Sequence, residues 1–219
     1  MKKIIIIGFP HCGTSILKSI IGHIDSVDEI YQESDKIDQE SSHKEYVLCK
    51  WPSTDSKFFG KEYEDYIKIF IMRNPLWVFS SLNIRFGGIE AEGHKVYDYI
   101  DSLKKFVYYT ENPVPNLYTI KYEDIFPNNF QALRNILDSI GLEYTDRIFD
   151  NNQYKNFITR DQEIPHTLPA QYDHDKYRSY QINQPIENQN KLDKILLDPR
   201  QYKELVENDT INMIYNCLV

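Results

Sequence analysis

The chain has 219 residues, enough for one substantial core and short for two domains. Hydrophobic residues are 41% and charged residues 26%, the balance of an ordinary soluble protein. The formal charge of −8 excludes a general nucleic-acid surface, which needs clustered Lys and Arg, but leaves room for an anionic small ligand on a locally positive loop.

Lys3 to Gly8 reads as a central parallel strand, because Ile4, Ile5, Ile6 and Ile7 offer apolar side chains to both faces. The strand runs into the loop Phe9-Pro10-His11-Cys12-Gly13 and then a helix from Thr14 to about Ile24, with Ile16, Leu17, Ile20, Ile21 and Ile24 on one stripe. That geometry aims free backbone N–H groups and the positive end of a helix dipole at one point, a seat for phosphate or sulfate. The spacing Gly-x4-Gly-x-Ser is that of a Walker A loop, but Thr14 stands where the lysine should be, which argues against ATP or GTP hydrolysis. Helix capping alone is the other reading of Thr14 and Ser15.

Asp25 to Lys44 is polar and irregular, a loop with a short helix. Tyr46 to Lys50 is a second strand, stopped by Pro52. Ile67 to Met72 is a third and delivers Arg73 at its end. Pro75 then sits in the first turn of a helix carrying Val78, Phe79 and Leu82, and Gly87-Gly88 breaks it. Ser81 falls about two turns along that helix. The planar fork of Arg73 suits a terminal phosphate and Ser81 can add a donor, although a structural ion pair would also explain the arginine. Val96 to Tyr109 is helical, Leu117 to Lys121 is a fourth strand, and Asn129 to Ile140 is a helix ended by Gly141. Asp150 to Pro185 is a long polar loop region, a candidate lid. Two short helices, near Ile186–Leu197 and Arg200–Glu207, close the chain.

Strands alternating with helices imply an α/β fold, an open, mostly parallel sheet with flanking helices. The whole chain is expected to be a single domain, with its core in 1–150 and a loop-rich acceptor or lid region and C-terminal helices in 151–219. Ligands of such sheets bind at the carboxyl ends of the strands. His11, Lys50, Arg73 and Tyr122 all fall just past expected strand ends, which predicts one shared site. Cys12, Cys49 and Cys217 are an odd number without metal-ligand or disulfide spacing, pointing to a reducing compartment. Lys2 and Lys3 precede too short an apolar run for a secretory leader or membrane span, so a cytoplasmic location is expected.

Four segments in order, Pro10-His11-Cys12-Gly13-Thr14-Ser15, Cys49-Lys50-Trp51-Pro52, Arg73 with Ser81, and Lys121-Tyr122-Glu123-Asp124-Ile125, resemble the sulfotransferase family that uses 3′-phosphoadenosine 5′-phosphosulfate (PAPS). The resemblance covers residues 4 to about 140. It implies a P-loop NTPase-like sulfotransferase fold and transfer of a sulfuryl group to a hydroxyl or amine acceptor, with release of 3′,5′-ADP and no metal. It implies that residues 10 to 15 and Lys50 hold the 5′-phosphosulfate and that Arg73 and Ser81 hold the 3′-phosphate. Tyr122 would lie against the adenine, where a packed aromatic is the plainer reading. Lys176 and Arg178, in Asp175-Lys176-Tyr177-Arg178-Ser179, would correspond to a late basic segment on the 3′-phosphate.

The chain departs from the family at His11, which stands where a Lys or Arg is usual. A free histidine is mostly uncharged at neutral pH, with a reference pKa of about 6.5. Sulfuryl transfer then needs either a protonated His11 or a Lys50 that acts alone. Glu33 is the candidate base toward the acceptor, set against a plain solvated acidic loop with Glu29, Asp35 and Glu40; His94, His166 and His174 are lesser candidates. The acceptor is open among carbohydrate, lipid, peptide and small molecule. Three rivals remain: a catalytically degenerate nucleotide-binding relative, a cysteine phosphatase built on His11-Cys12, and a nucleoside kinase. The phosphatase would require an arginine where Lys18 stands, and the kinase lacks the loop lysine.

Overall fold

The computed structural model describes residues 1–30, 33–37, 42–86, 95–150, 186–190 and 195–215. The strands are β1 (Lys2–Gly8), β2 (Val27–Glu29), β3 (Tyr46–Trp51), β4 (Tyr66–Met72) and β5 (Leu117–Lys121). The helices are α1 (Thr14–Gly22), α2 (Pro75–Phe86), α3 (Val96–Glu111), α4 (Pro127–Ile140), α5 (Pro199–Val206) and α6 (Asp209–Tyr215). The five strands form one sheet in the order β2-β3-β1-β4-β5, and every pair is parallel. The strand ends therefore share one edge of the sheet.

The isoleucine run places β1 at the centre. Ile4 and Ile6 point into one apolar layer with Leu17, Ile20 and Ile21 of α1 and Leu133 and Leu137 of α4. Ile5 and Ile7 point into the other, with Leu76 and Phe79 of α2, Leu103 and Phe106 of α3, and Leu205 and Ile211 of the last two helices. All four isoleucines are fully buried. Burial is worth about 1.5–3 kcal/mol for each such side chain, so a polar face anywhere on β1 would be costly. The chain adds β3 on one side of β1 and then β4 on the other. This reversal makes the carboxyl end of β1 the switch point of the sheet, the place where open α/β sheets bind ligands.

Several expectations need correction. The Asp25–Lys44 stretch contains β2, an edge strand of three residues with one apolar side chain, too short for a readable alternation. Lys50 lies inside β3, not past its end. Asn128, Asn129 and Phe130 take φ of 51°, 56° and 61°, so regular turns of α4 begin later than Asn129. Asparagine tolerates the left-handed region better than most residues. Residues 186–190 and 195–198 are not helical, because the polar groups of 187–190 are spent on the body of the protein. One of the two closing helices is present as α5, and α6 follows it. The Gly87-Gly88 break, the loop over 151–185 and Cys217 lie outside the described residues.

Candidate functional site

Gly8 ends β1 where a Cβ would stand 2.4 Å from the Ile71 carbonyl oxygen of β4, so only glycine allows the two strand ends to approach this closely. Phe9 then anchors the loop by packing against Tyr99 and Phe79, with ring centroids 5.4 and 6.2 Å away. The Cys12 N–H donates to the Phe9 carbonyl at 3.1 Å and tightens the turn. His11 and Gly13 both have positive φ, 65° and 100°. Gly13 lies on the Tyr122 ring: a Cβ there would be 2.5 Å from a ring carbon. No side chain caps α1, so its first-turn N–H groups remain for a ligand at the positive end of the helix. Pro10, His11, Gly13 and Ser15 are half-buried, and Thr14 and Cys12 are buried.

Ser15 does not cap the helix. Its Oγ accepts from Lys50 Nζ at 2.6 Å. Lys50 reaches across from β3, with its side chain only 4% exposed, and the same Nζ lies 3.0 Å from Glu33 Oε1. The acidic loop residue and the β3 lysine thus meet at the start of α1.

A second group gathers on the other side of the loop. His11 Nδ1 and Ser81 Oγ, the latter on α2, are 2.7 Å apart. The His11 carbonyl accepts from Arg73 Nη1 at 3.4 Å. Arg73 is held just past β4, where the Tyr99 hydroxyl donates to its carbonyl at 2.7 Å. Its guanidinium is stacked 4.3 Å over the Tyr122 ring. Tyr122 opens a short 3-10 turn after β5, and its hydroxyl accepts from the Gln189 N–H at 3.0 Å. Burial pushes the Tyr122 phenol up and the Arg73 guanidinium down from their ordinary values.

Arg73 is 8% exposed and no carboxylate pairs with it among the described residues. Its partners are neutral: the His11 carbonyl and, through Nε at 2.7 Å, Asn190 Oδ1. The structural ion pair that would also have explained Arg73 is therefore absent among the described residues. With Glu123 reaching it only through Asn190 and no carboxylate bonded to it among the described residues, a buried guanidinium with N–H groups to spare is a place for an anion.

The expected residues His11, Gly13, Ser15, Arg73, Ser81 and Tyr122 thus converge on one loop, and Lys50 and Glu33 join it through Ser15. Lys176, Arg178, His94, His166 and His174 lie outside the described residues. Two participants were not anticipated. Glu123 follows Tyr122 in a motif that gave it no role, and Asn190 falls in a stretch whose sequence reads as helix. The Cys12 thiol is fully buried and burial pushes it up from its ordinary value, the reverse of what a phosphatase nucleophile needs. Among the described residues no group of three or more His, Cys, Asp or Glu is placed to hold a metal, and no helix is long and apolar enough to cross a membrane.

No family model and no curated protein matches the sequence. Solved structures do match. Mouse sulfotransferase SULT7A1 complexed with PAP superposes with a TM-score of 0.57 at 15% identity, over 97% of this chain and 87% of that one. This is a sulfotransferase fold. Retinol dehydratase in complex with androsterone and the inactive cofactor PAP aligns at a TM-score of 0.45 and 10% identity, over 71% of this chain and 67% of that one. In this sulfotransferase fold the loop after β1 leads into the uncapped start of α1 and carries the Arg73 guanidinium on its His11 carbonyl.

Proposed function

We propose that the chain is a PAPS-dependent sulfotransferase that moves a sulfuryl group to a hydroxyl or amine acceptor and releases 3′,5′-ADP. The observation that carries this reading is Arg73, a buried guanidinium beside the anion-binding loop without a carboxylate partner among the described residues. PAP, named in the matched mouse sulfotransferase structure, is 3′,5′-ADP, and its two phosphates ask for two anion seats separated by a nucleoside. The loop with the start of α1 fits one seat. Arg73 with Ser81 fits the other, and Tyr122 offers an aromatic face beside it.

PAPS supplies the sulfuryl group when bound. Its sulfur–oxygen bond to the 5′-phosphate breaks with the electron pair left on that oxygen, while the acceptor oxygen or nitrogen forms the new bond to sulfur. Lys50 and the first-turn N–H groups of α1 balance the charge that builds on the departing oxygen. In this reading Glu33 takes the acceptor proton and the acceptor enters on the Lys50 side of the loop, which the Lys50–Glu33 pair at 3.0 Å supports. His11, where the family has a lysine or arginine, engages Ser81 and so links the two ends.

Calorimetric titration with 3′,5′-ADP and with 5′-AMP tests the reading. Tighter binding of 3′,5′-ADP is expected, and Arg73→Ala should remove that preference. Equal affinity for the two nucleotides, or none for either, overturns it. A second reading, a non-catalytic nucleotide binder, is favoured by the neutral-capable His11 in the loop. It predicts the same titration with no sulfuryl transfer.

A further inference from the structure

The segment 186–190 crosses the Arg73–Tyr122 pair. Ile186 is buried in the α1–α4 layer and anchors it. The Tyr122 hydroxyl donates to the Glu187 carbonyl at 3.3 Å and accepts from the Gln189 N–H at 3.0 Å. The Asn190 N–H donates to Asn188 Oδ1 at 2.9 Å, which turns the Asn190 side chain inward. Its carboxamide then bridges two charged groups. Oδ1 accepts from Arg73 Nε at 2.7 Å, and Nδ2 donates to Glu123 Oε1 at 2.8 Å. The amide can point only one way, since a guanidinium only donates and a carboxylate only accepts. Glu123 is itself fixed, because the same Oε1 accepts from the Asn74 N–H at 2.9 Å.

We infer that Asn190 is a positioning residue that gives the site its discrimination for a 3′-phosphate. A carboxylate placed directly on Nε would orient the guanidinium but also neutralise it, and a neutralised arginine has little left for phosphate. The carboxamide transmits the orientation of Glu123 to Arg73 and inserts no charge. It holds the guanidinium flat over Tyr122 with Nε occupied, so the Nη2 edge remains for the ligand. This inference rests on the proposed 3′-phosphate site and adds a residue to it.

The test is the ratio of affinities for 3′,5′-ADP and 5′-AMP, measured by calorimetry on the full chain. Asn190→Ala should shrink the ratio about ten- to a hundredfold, the range for a lost hydrogen bond to a charged group, while 5′-AMP affinity changes far less; the thermal midpoint should fall as well, since Arg73 Nε and Glu123 Oε1 each lose a partner. Asn190→Asp should shrink it further, because the new carboxylate neutralises Arg73 and faces Glu123 at hydrogen-bond distance. The double variant Asn190→Asp, Glu123→Gln removes the facing pair of carboxylates but leaves one on Arg73, and its new amide must choose between donating to that carboxylate and accepting from the Asn74 N–H. It should recover part of the thermal midpoint lost in Asn190→Asp without recovering the ratio. An Asn190→Ala ratio equal to wild type, a parallel loss of both nucleotides, or a double variant that regains the full ratio would each overturn the inference while leaving the nucleotide site standing. A wild-type protein without preference for the 3′-phosphate overturns both.

Discussion

Two buried cations are handled in opposite ways. Lys50 meets a carboxylate and a hydroxyl, Glu33 and Ser15, and in the proposed reaction it faces the charge that builds during transfer. Arg73 meets neutral acceptors, and in the proposed site its charge faces the 3′-phosphate. The two should separate kinetically. Losing a donor to developing charge typically costs about 2.7–4 kcal/mol in the transition state. Lys50→Ala is therefore expected to lower kcat about a hundred- to a thousandfold while 3′,5′-ADP affinity changes by less than about tenfold; turnover and calorimetry on the same preparation compare them. A comparable loss in both would place Lys50 in binding and not in transfer.

At the scale of elements, the β1–loop–α1 unit does what its residues dictate. Isoleucines bury the strand on both faces, Gly8 lets β4 approach, and Gly13 starts the helix from the left-handed region. Gly13 also couples this unit to β5, since the Tyr122 ring fills the space a Cβ would need. Gly13→Ala combines a strained φ with a clash against that ring. It should destabilise the fold by about 1–3 kcal/mol, seen as a lower urea midpoint, and weaken 3′,5′-ADP binding by displacing Tyr122. Unchanged stability would mean that the loop does not rest on Tyr122.

For the whole molecule, the core leaves a signature in alkali. Cys49 is buried in the α2–α3 layer, and burial pushes its thiol up to about 12. In the unfolded chain a thiol titrates near about 8.5. Below that pH both states keep the proton and the thiol contributes nothing to pH dependence. As pH rises above it the unfolded chain releases the proton and the folded protein does not, so stability falls. The slope approaches about 1.4 kcal/mol per pH unit once the unfolded thiol is fully ionised. Urea denaturation between about pH 8 and 10 should show this decline, and Cys49→Ala should make it shallower. An identical slope in the variant would place Cys49 in contact with solvent.

By itself the sequence determined the central strands of the sheet and the turn from β1 into α1. An isoleucine run is stable only between two apolar layers, and Gly8, Gly13, Pro75 and Gly141 mark turns and helix boundaries through local backbone constraints. Such features act within a few residues and can be read in one dimension. What only the tertiary structure decided is long-range and polar. β2 is a strand because β3 lies beside it, Lys50 and Glu33 meet at the start of α1, and Arg73 bonds to Asn190 across a separation of 117 residues. A carboxamide follows no helix or strand period that would betray its partner. Its role depends on which charges the fold brings to either side of it, and those charges arrive on separate strands.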